Sequence, residues 1–260
     1  MDFRVLGPVE VGPVRREHGL GTPKQRTVLS ALLLNANHIV SVDQLTTVLW
    51  DGRPPRSAMA NVYSYVAGVR RLLDGAGEAG RDRLITRMPG YVLRVRSGEL
   101  DLSVFDQLAH RGQAALRRSE LELAADCLGR ALAVWRGRPL EDVRVTSALM
   151  APITALEGRR IDVLNDLIQA RLRLGQHKEV VGDLRELIAL APLSELTWSQ
   201  FMFALYRSGR KAEALGAFLD ARRTMISQAG VEPSAYLRRV HQAMLTGTPS
   251  AELLEHCWRG

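Results

Sequence analysis

The chain has 260 residues, 46% of them hydrophobic, and carries a net charge of +7 from 35 basic and 28 acidic side chains. That length suits one large domain or two of ordinary size, with enough apolar content for real cores. No run of about 18 apolar residues is present to span a bilayer, and the start MDFRVLGPVEV lacks the basic-then-apolar layout of a secretory signal, so a cytoplasmic protein is expected. Cys127 and Cys257 have neither metal-ligand spacing nor the number for a disulfide framework, which fits a reducing compartment.

Before the first helix, FRVLGPVEV alternates around Gly7-Pro8 and reads as two short strands, with a possible third at Val14-Arg15-Arg16. Thr22-Pro23 then starts a helix, with Thr as N-cap, Pro at the first helical position and Gln25 closing a capping box; Val28, Leu29, Leu32 and Leu33 give it a buried stripe. A second capping box, Ser41 with Gln44, opens SVDQLTTVLW, which Asp51-Gly52 and Pro54-Pro55 stop. Ser57 is the expected cap of a third helix reaching about Asp74. After a polar turn the period changes to 2, with strands at Leu84 to Thr86 and Tyr91 to Val95 around a type II turn that uses Pro89 and Gly90.

Three helices followed by a strand-turn-strand spell a winged helix-turn-helix, and make double-stranded DNA the leading ligand. The charge agrees in place as well as sign: residues 1–98 hold 14 basic against 8 acidic side chains, while residues 99–260 are near balance. On the third helix Val62, Val66, Val69 and Leu73 share a narrow arc, with Met59 close by, and should pack inward. The opposite arc, Ser57, Asn61, Ser64, Gly68 and Arg71 with Ala60 and Tyr65 on its flanks, is the expected reading face. Asn and Arg can make the two-point hydrogen bonds that distinguish base edges. Arg53 and Arg56 in the turn suit phosphates, Arg87 at the wing suits a neighbouring minor groove, and Lys24 and Tyr91 are further expected DNA contacts. Arg70, at the edge of the buried stripe, should tie the helix to its own domain.

From about Glu99 the chain reads as successive amphipathic helices. Leu167, Leu172, Gly175, Glu179, Val180, Leu184 and Leu187 recur 34 positions later as Phe201, Tyr206, Gly209, Glu213, Ala214, Phe218 and Ala221, the period of a tetratricopeptide helix pair. The pattern RRSELELAADCLGRAL at 117–132 is similar but out of register, as an insertion around residues 135–152 would cause. The expected fold is mainly α with a small β component: a winged helix-turn-helix domain at 1–98, an all-α tetratricopeptide-like domain at 99–250 and a tail at 251–260. There is no GxxxxGK[ST], GxSxG or HExxH sequence, and the six histidines show no ligand spacing, so neither an enzyme nor a cofactor or metal site is expected.

The strings FRVLGPVEV, GTPKQRTVLSALLLNAN, VSVDQLTTVLW, NVYSYVAGVRRLL and ITRMPGYVLRV, followed by VWRGRPLEDV and AGVEPSAYLRRVHQAML, resemble the Streptomyces antibiotic regulatory protein family over nearly the whole chain. The resemblance implies an OmpR-like DNA-binding domain and a bacterial transcriptional activation domain in an activator of secondary-metabolite genes. It further implies tandem direct-repeat operators bound by two copies, contact with RNA polymerase holoenzyme including its sigma factor, and a nucleoid-associated location. A non-catalytic helical adaptor that binds a protein partner, or a DNA-binding repressor, are the alternatives. Ala67-Gly68 stand where the family usually has Ser-Arg, and Val69 where it has Leu. Gly68 is therefore expected to leave a guanidinium missing from the centre of the reading face, so that Gly68→Arg would strengthen binding.

Overall fold

A computed structural model describes residues 2–12, 20–75 and 82–247. The chain forms two compact units, Met1–Arg111 with Gly129–Arg160, and Gly112–Leu128 with Ile161–Gly260. The first unit therefore takes in not only the winged module but a later stretch of chain.

In the first unit, β1 (Phe3–Arg4) and β2 (Glu10–Val11) form an antiparallel pair that matches Phe3 with Val11. The possible strand at residues 14–16 lies outside the described residues. Helix α1 (Pro23–Leu34) starts on the Thr22/Gln25 capping box and α2 (Val42–Trp50) on the Ser41/Gln44 box, both as the sequence predicts. Each box satisfies two amide donors that the first turn of a helix leaves open. Helix α3 (Ala58–Asp74) buries Val62, Val66, Val69 and Leu73 in a core shared with Val28, Leu29, Leu32 and Leu33 of α1 and Leu45 and Leu49 of α2. Ser57 precedes α3 but makes no side-chain cap; its hydroxyl instead accepts from Asn61 Nδ2 at 3.2 Å. Met59, expected beside the buried stripe, is 59% exposed.

The sequence reading missed one strand. β3 (Val40–Ser41), between α1 and α2, joins β4 (Leu84–Arg87) and β5 (Gly90–Leu93) in a sheet of order β3-β5-β4. Two residues are too short a run to show alternation. The wing turn also differs from expectation. Arg87 pairs with Gly90, so the central turn residues are Met88 and Pro89, joined by a cis peptide bond, and Gly90 opens β5. Glycine is required there by close approach to β3, since a Cβ on Gly90 would lie 1.9 Å from the Val40 carbonyl oxygen.

The base of the wing is fixed by a two-pronged ion pair. Arg83 donates to both carboxylate oxygens of Glu99, at 2.7 and 2.8 Å, and also to the Arg94 carbonyl at 3.3 Å. At the start of α4 (Asp101–Arg117) the buried carboxylate of Asp101 accepts the backbone N–H groups of Val5 and Leu6 at 2.9 Å and that of Leu102 at 2.8 Å. It thereby supplies acceptors to amides of the β1–β2 connection that the short ladder leaves unpaired.

α4, α5 (Leu121–Ala133) and α6 (Ser147–Arg173) each contribute residues to both units. In the second unit α7 (Val180–Leu190), α8 (Glu195–Arg207), α9 (Lys211–Ala229) and α10 (Ala235–Thr246) follow as successive helices. The 34-residue period has a visible cause. Gly175 and Gly209 both adopt φ +80° at the turn of a helix pair, and Val180, Leu184 and Leu187 are buried at the positions where Ala214, Phe218 and Ala221 are buried one period later. Ser194 and Ser234 cap α8 and α10. No described helix is long and apolar enough to cross a membrane.

Candidate nucleic-acid interface

Helix α3 turns outward the side that carries Ala60, Tyr63, Ser64, Ala67 and Arg71, all exposed. At 100° per residue this face is rotated by about 60° from the expected arc through Asn61 and Gly68. The cause lies in α1. A Cβ on Gly68 would meet the Gln25 amide, 2.0 Å from Nε2 and 2.7 Å from Cδ, so the capping-box side chain fills the space beside this glycine. Next to it Tyr65 is half-buried with its ring centroid 6.4 Å from that of Trp50, and Lys24 Nζ lies over Trp50 at 5.3 Å. Gln25 of α1 and Trp50 of α2 thus cover the Gly68 and Tyr65 side.

This corrects the expectation for Gly68. It is not the centre of a reading face with a guanidinium missing but a contact point for Gln25. Gly68→Arg, made alone, should therefore displace Gln25 from the Thr22 cap and weaken the domain, by about 1 kcal/mol or more; a thermal melt unchanged from wild type would contradict this packing. The signal was available, because a glycine inside a helix commonly marks close approach by a neighbour.

The remaining predicted residues divide by environment. Arg53, Arg56, Ser57, Ser64, Arg71 and Arg87 are exposed, and Asn61 is half-buried and bonded to Ser57. Lys24 is engaged internally: its ammonium donates to the Leu49 carbonyl at the end of α2, and burial, then the charge of Arg144, hold its pKa below the ordinary value. Tyr91 is 7% exposed and belongs to the core; burial raises its phenol pKa, with Tyr63 adding to the rise and Arg70 opposing it. Neither Lys24 nor Tyr91 is part of the exposed face. Arg70 acts as expected, donating to the Leu84 carbonyl at 3.1 Å and to Thr86 Oγ1 at 3.3 Å, and so ties α3 to β4. The wing tip is Met88, 85% exposed, with Arg87 beside it, which makes the tip apolar at its apex and basic on its shoulder. Tyr63, 48% exposed at the edge of the outward face farthest from Asn61, was missed by the arc drawn through Asn61.

The arrangement is that of a winged helix-turn-helix. A helix with one exposed face carrying Ser64 and Arg71 is preceded by a turn bearing the exposed Arg53 and Arg56 and accompanied by a thin hairpin with the exposed Arg87.

Comparison with known proteins agrees with this geometry. The carboxy-terminal domain of transcriptional regulatory proteins matches residues 17–93, and the bacterial transcriptional activator domain matches residues 100–245. The regulatory protein DnrI of Streptomyces peucetius is 37% identical over 97% of this chain and 94% of its own length. The regulatory protein AfsR of Streptomyces coelicolor is 35% identical over 96% of this chain, which spans 25% of that protein. The solved structure of Mycobacterium tuberculosis EmbR in complex with a low-affinity phosphopeptide superposes with a TM-score of 0.87 at 33% identity, covering 98% of this chain and 68% of EmbR. With a winged helix-turn-helix, a helical activator domain and these relatives, the chain belongs to the Streptomyces antibiotic regulatory protein family of transcriptional regulators.

Proposed function

We propose that the protein activates transcription of secondary-metabolite genes by binding tandem direct repeats beside a promoter and recruiting RNA polymerase. The observation that carries the reading is the outward face of α3, where Arg71, Ser64 and Tyr63 stand free beside a wing with Arg87 on its shoulder. Helix α3 enters the major groove, the wing meets a neighbouring minor groove, and Arg53 and Arg56 engage phosphates. Two copies bind side by side, with repeats about one helical turn apart so that both meet one face of the DNA. Contact of the bound pair with polymerase and its sigma factor stabilises the promoter complex, and about 1.4 kcal/mol of added contact raises low occupancy tenfold.

Arg71→Ala should reduce affinity for the operator by about 1–3 kcal/mol and relax sequence preference, whereas Arg56→Ala should weaken all duplexes evenly and reduce the salt slope by about one phosphate's worth. Asn61→Ala should cost less than Arg71→Ala, since its amide is already bonded to Ser57. Electrophoretic shift titrations on operator and shuffled duplexes, repeated across salt concentrations, check all three. Equal losses for Arg71→Ala on both duplexes would remove α3 as the reader. A protein adaptor would lack the linear decline of log affinity with log salt, and transcription in vitro with purified polymerase separates activator from repressor by the sign of the effect.

A further inference from the structure

Within the first unit, the connection between α5 and α6 does more than join two helices. Leu140, Val143, Leu149 and Ile153 lie in the same apolar core as α1, α2 and α3. Polar contacts then run along the helix-turn-helix in order. Asp142 accepts the Val9 N–H at 2.8 Å and Arg26 Nη1 at 3.0 Å. Thr146 donates its hydroxyl to the Val48 carbonyl at 3.0 Å, near the end of α2. Ser147, the first residue of α6, donates both its backbone N–H, at 2.9 Å, and its hydroxyl to the carboxylate of Asp51.

Asp51 is where the chain leaves α2 to enter the turn toward α3. It has φ +53° as the C-cap of α2, and Gly52 follows at φ +80°. Two consecutive left-handed residues set the direction of the connection, and such a conformation persists where the surroundings hold it. The surroundings here are the start of α6, whose open amides favour a carboxylate. The hydrogen bonds of Ser147 hold the Asp51 pKa below its ordinary value, with Arg144 and Arg53 adding to the effect, so the carboxylate is ionised at neutral pH. The turn from Asp51 to Ser57 is otherwise exposed throughout.

We infer that Thr146 and Ser147 are positioning residues for DNA recognition: by holding the end of α2 and the Asp51 turn, they fix the angle at which α3 is presented to the major groove. The inference rests on the DNA-reading function proposed above. A groove-reading helix must hold its side chains to well under an ångström or so to keep two-point hydrogen bonds to base edges, whereas phosphate contacts by flexible arginines tolerate a small tilt. Loss of the clamp is therefore expected in sequence discrimination before it is seen in general attraction to DNA.

The test uses the full chain, a duplex that the wild-type chain selects from a random pool, and a shuffled duplex of the same composition. The double variant Thr146→Val/Ser147→Ala should lose about tenfold on the selected duplex, roughly the effect of one lost base contact, and less than about twofold on the shuffled one, with the salt slope unchanged. The double variant Thr146→Ser/Ser147→Thr, which keeps both hydroxyls, should restore selectivity. Equal losses on both duplexes, loss of selectivity in the hydroxyl-keeping variant, or full selectivity in Thr146→Val/Ser147→Ala would each overturn the positioning role. A wild-type chain that enriches no sequence would overturn the DNA-reading function itself, a different failure visible before any variant is made.

Discussion

Glu99→Ala should destabilise the first unit by about 3–5 kcal/mol, because it removes two charge-assisted hydrogen bonds from the buried guanidinium of Arg83. Arg83 is 6% exposed and has its guanidinium aligned on the Glu99 carboxylate, so removing the acid leaves a cation with little access to water. Its bond to the Arg94 carbonyl, at 3.3 Å, is longer and has a neutral acceptor. Replacing both, as in Arg83→Met/Glu99→Leu, should cost less than either single change, since an apolar pair of similar volume avoids the desolvation of two charges. Denaturant melts of the three variants check the order; a Glu99→Ala chain within about 1 kcal/mol of wild type would show that the Glu99 carboxylate is not what stabilises the buried Arg83.

The same pair sets an acid limit. Arg83's hydrogen bonds, opposed by burial and assisted by the Arg96 N–H, hold the Glu99 carboxyl at about 2, below its ordinary 4.5. A depressed carboxylate pKa stabilises the fold fully above the unfolded value, and that contribution is lost as pH falls from there through about 2. The stake is about 3 kcal/mol at full ionisation. Melts taken between neutral pH and strong acid should therefore fall less steeply in Glu99→Gln, which starts lower but has no proton to gain at this site.

Gly90→Ala should have the next largest effect, about 3 kcal/mol, together with loss of specific DNA binding. Its added methyl would sit 1.9 Å from the Val40 carbonyl oxygen and 2.6 Å from Ser41 Cα, both backbone atoms that no rotamer change can move aside. Relief requires β3 to leave β5, and Ser41 in β3 is also the residue that caps α2. The strain therefore passes from the wing to the helix-turn-helix. Thermal melts and operator titrations should both register it; a normal melt with normal binding would mean that β3 contributes nothing to either.

Most of the fold was legible because its signals are local. The capping boxes at Thr22 and Ser41 need only four consecutive residues, the α3 stripe needs only helical spacing, and the 34-residue period survives at Gly175 and Gly209 because the turn itself demands glycine. What escaped depends on partners distant in sequence. The arc drawn on α3 was off by about 60° because Gln25 and Trp50 cover one side of it, and no spacing rule within α3 reports on α1 or α2. The stretch read as an insertion contains Asp142, Thr146 and Ser147, whose acceptors and donors lie about 100 residues or more away, so nothing nearby in the sequence marks them as part of the DNA-reading unit. Lys24 and Tyr91 looked like contacts because basic and aromatic residues near a groove reader usually are, and only burial separates the two cases.

Gln25 has a glycine on either side of it: a side chain on Gly21 would lie 2.1 Å from its Oε1, as one on Gly68 would lie 2.0 Å from its Nε2. Positions 21, 25 and 68 are therefore packed as one group. A side chain at 68 obliges the Gln25 amide to swing off the Thr22 N–H that it accepts, so a substitution on α3 should be felt first at the start of α1.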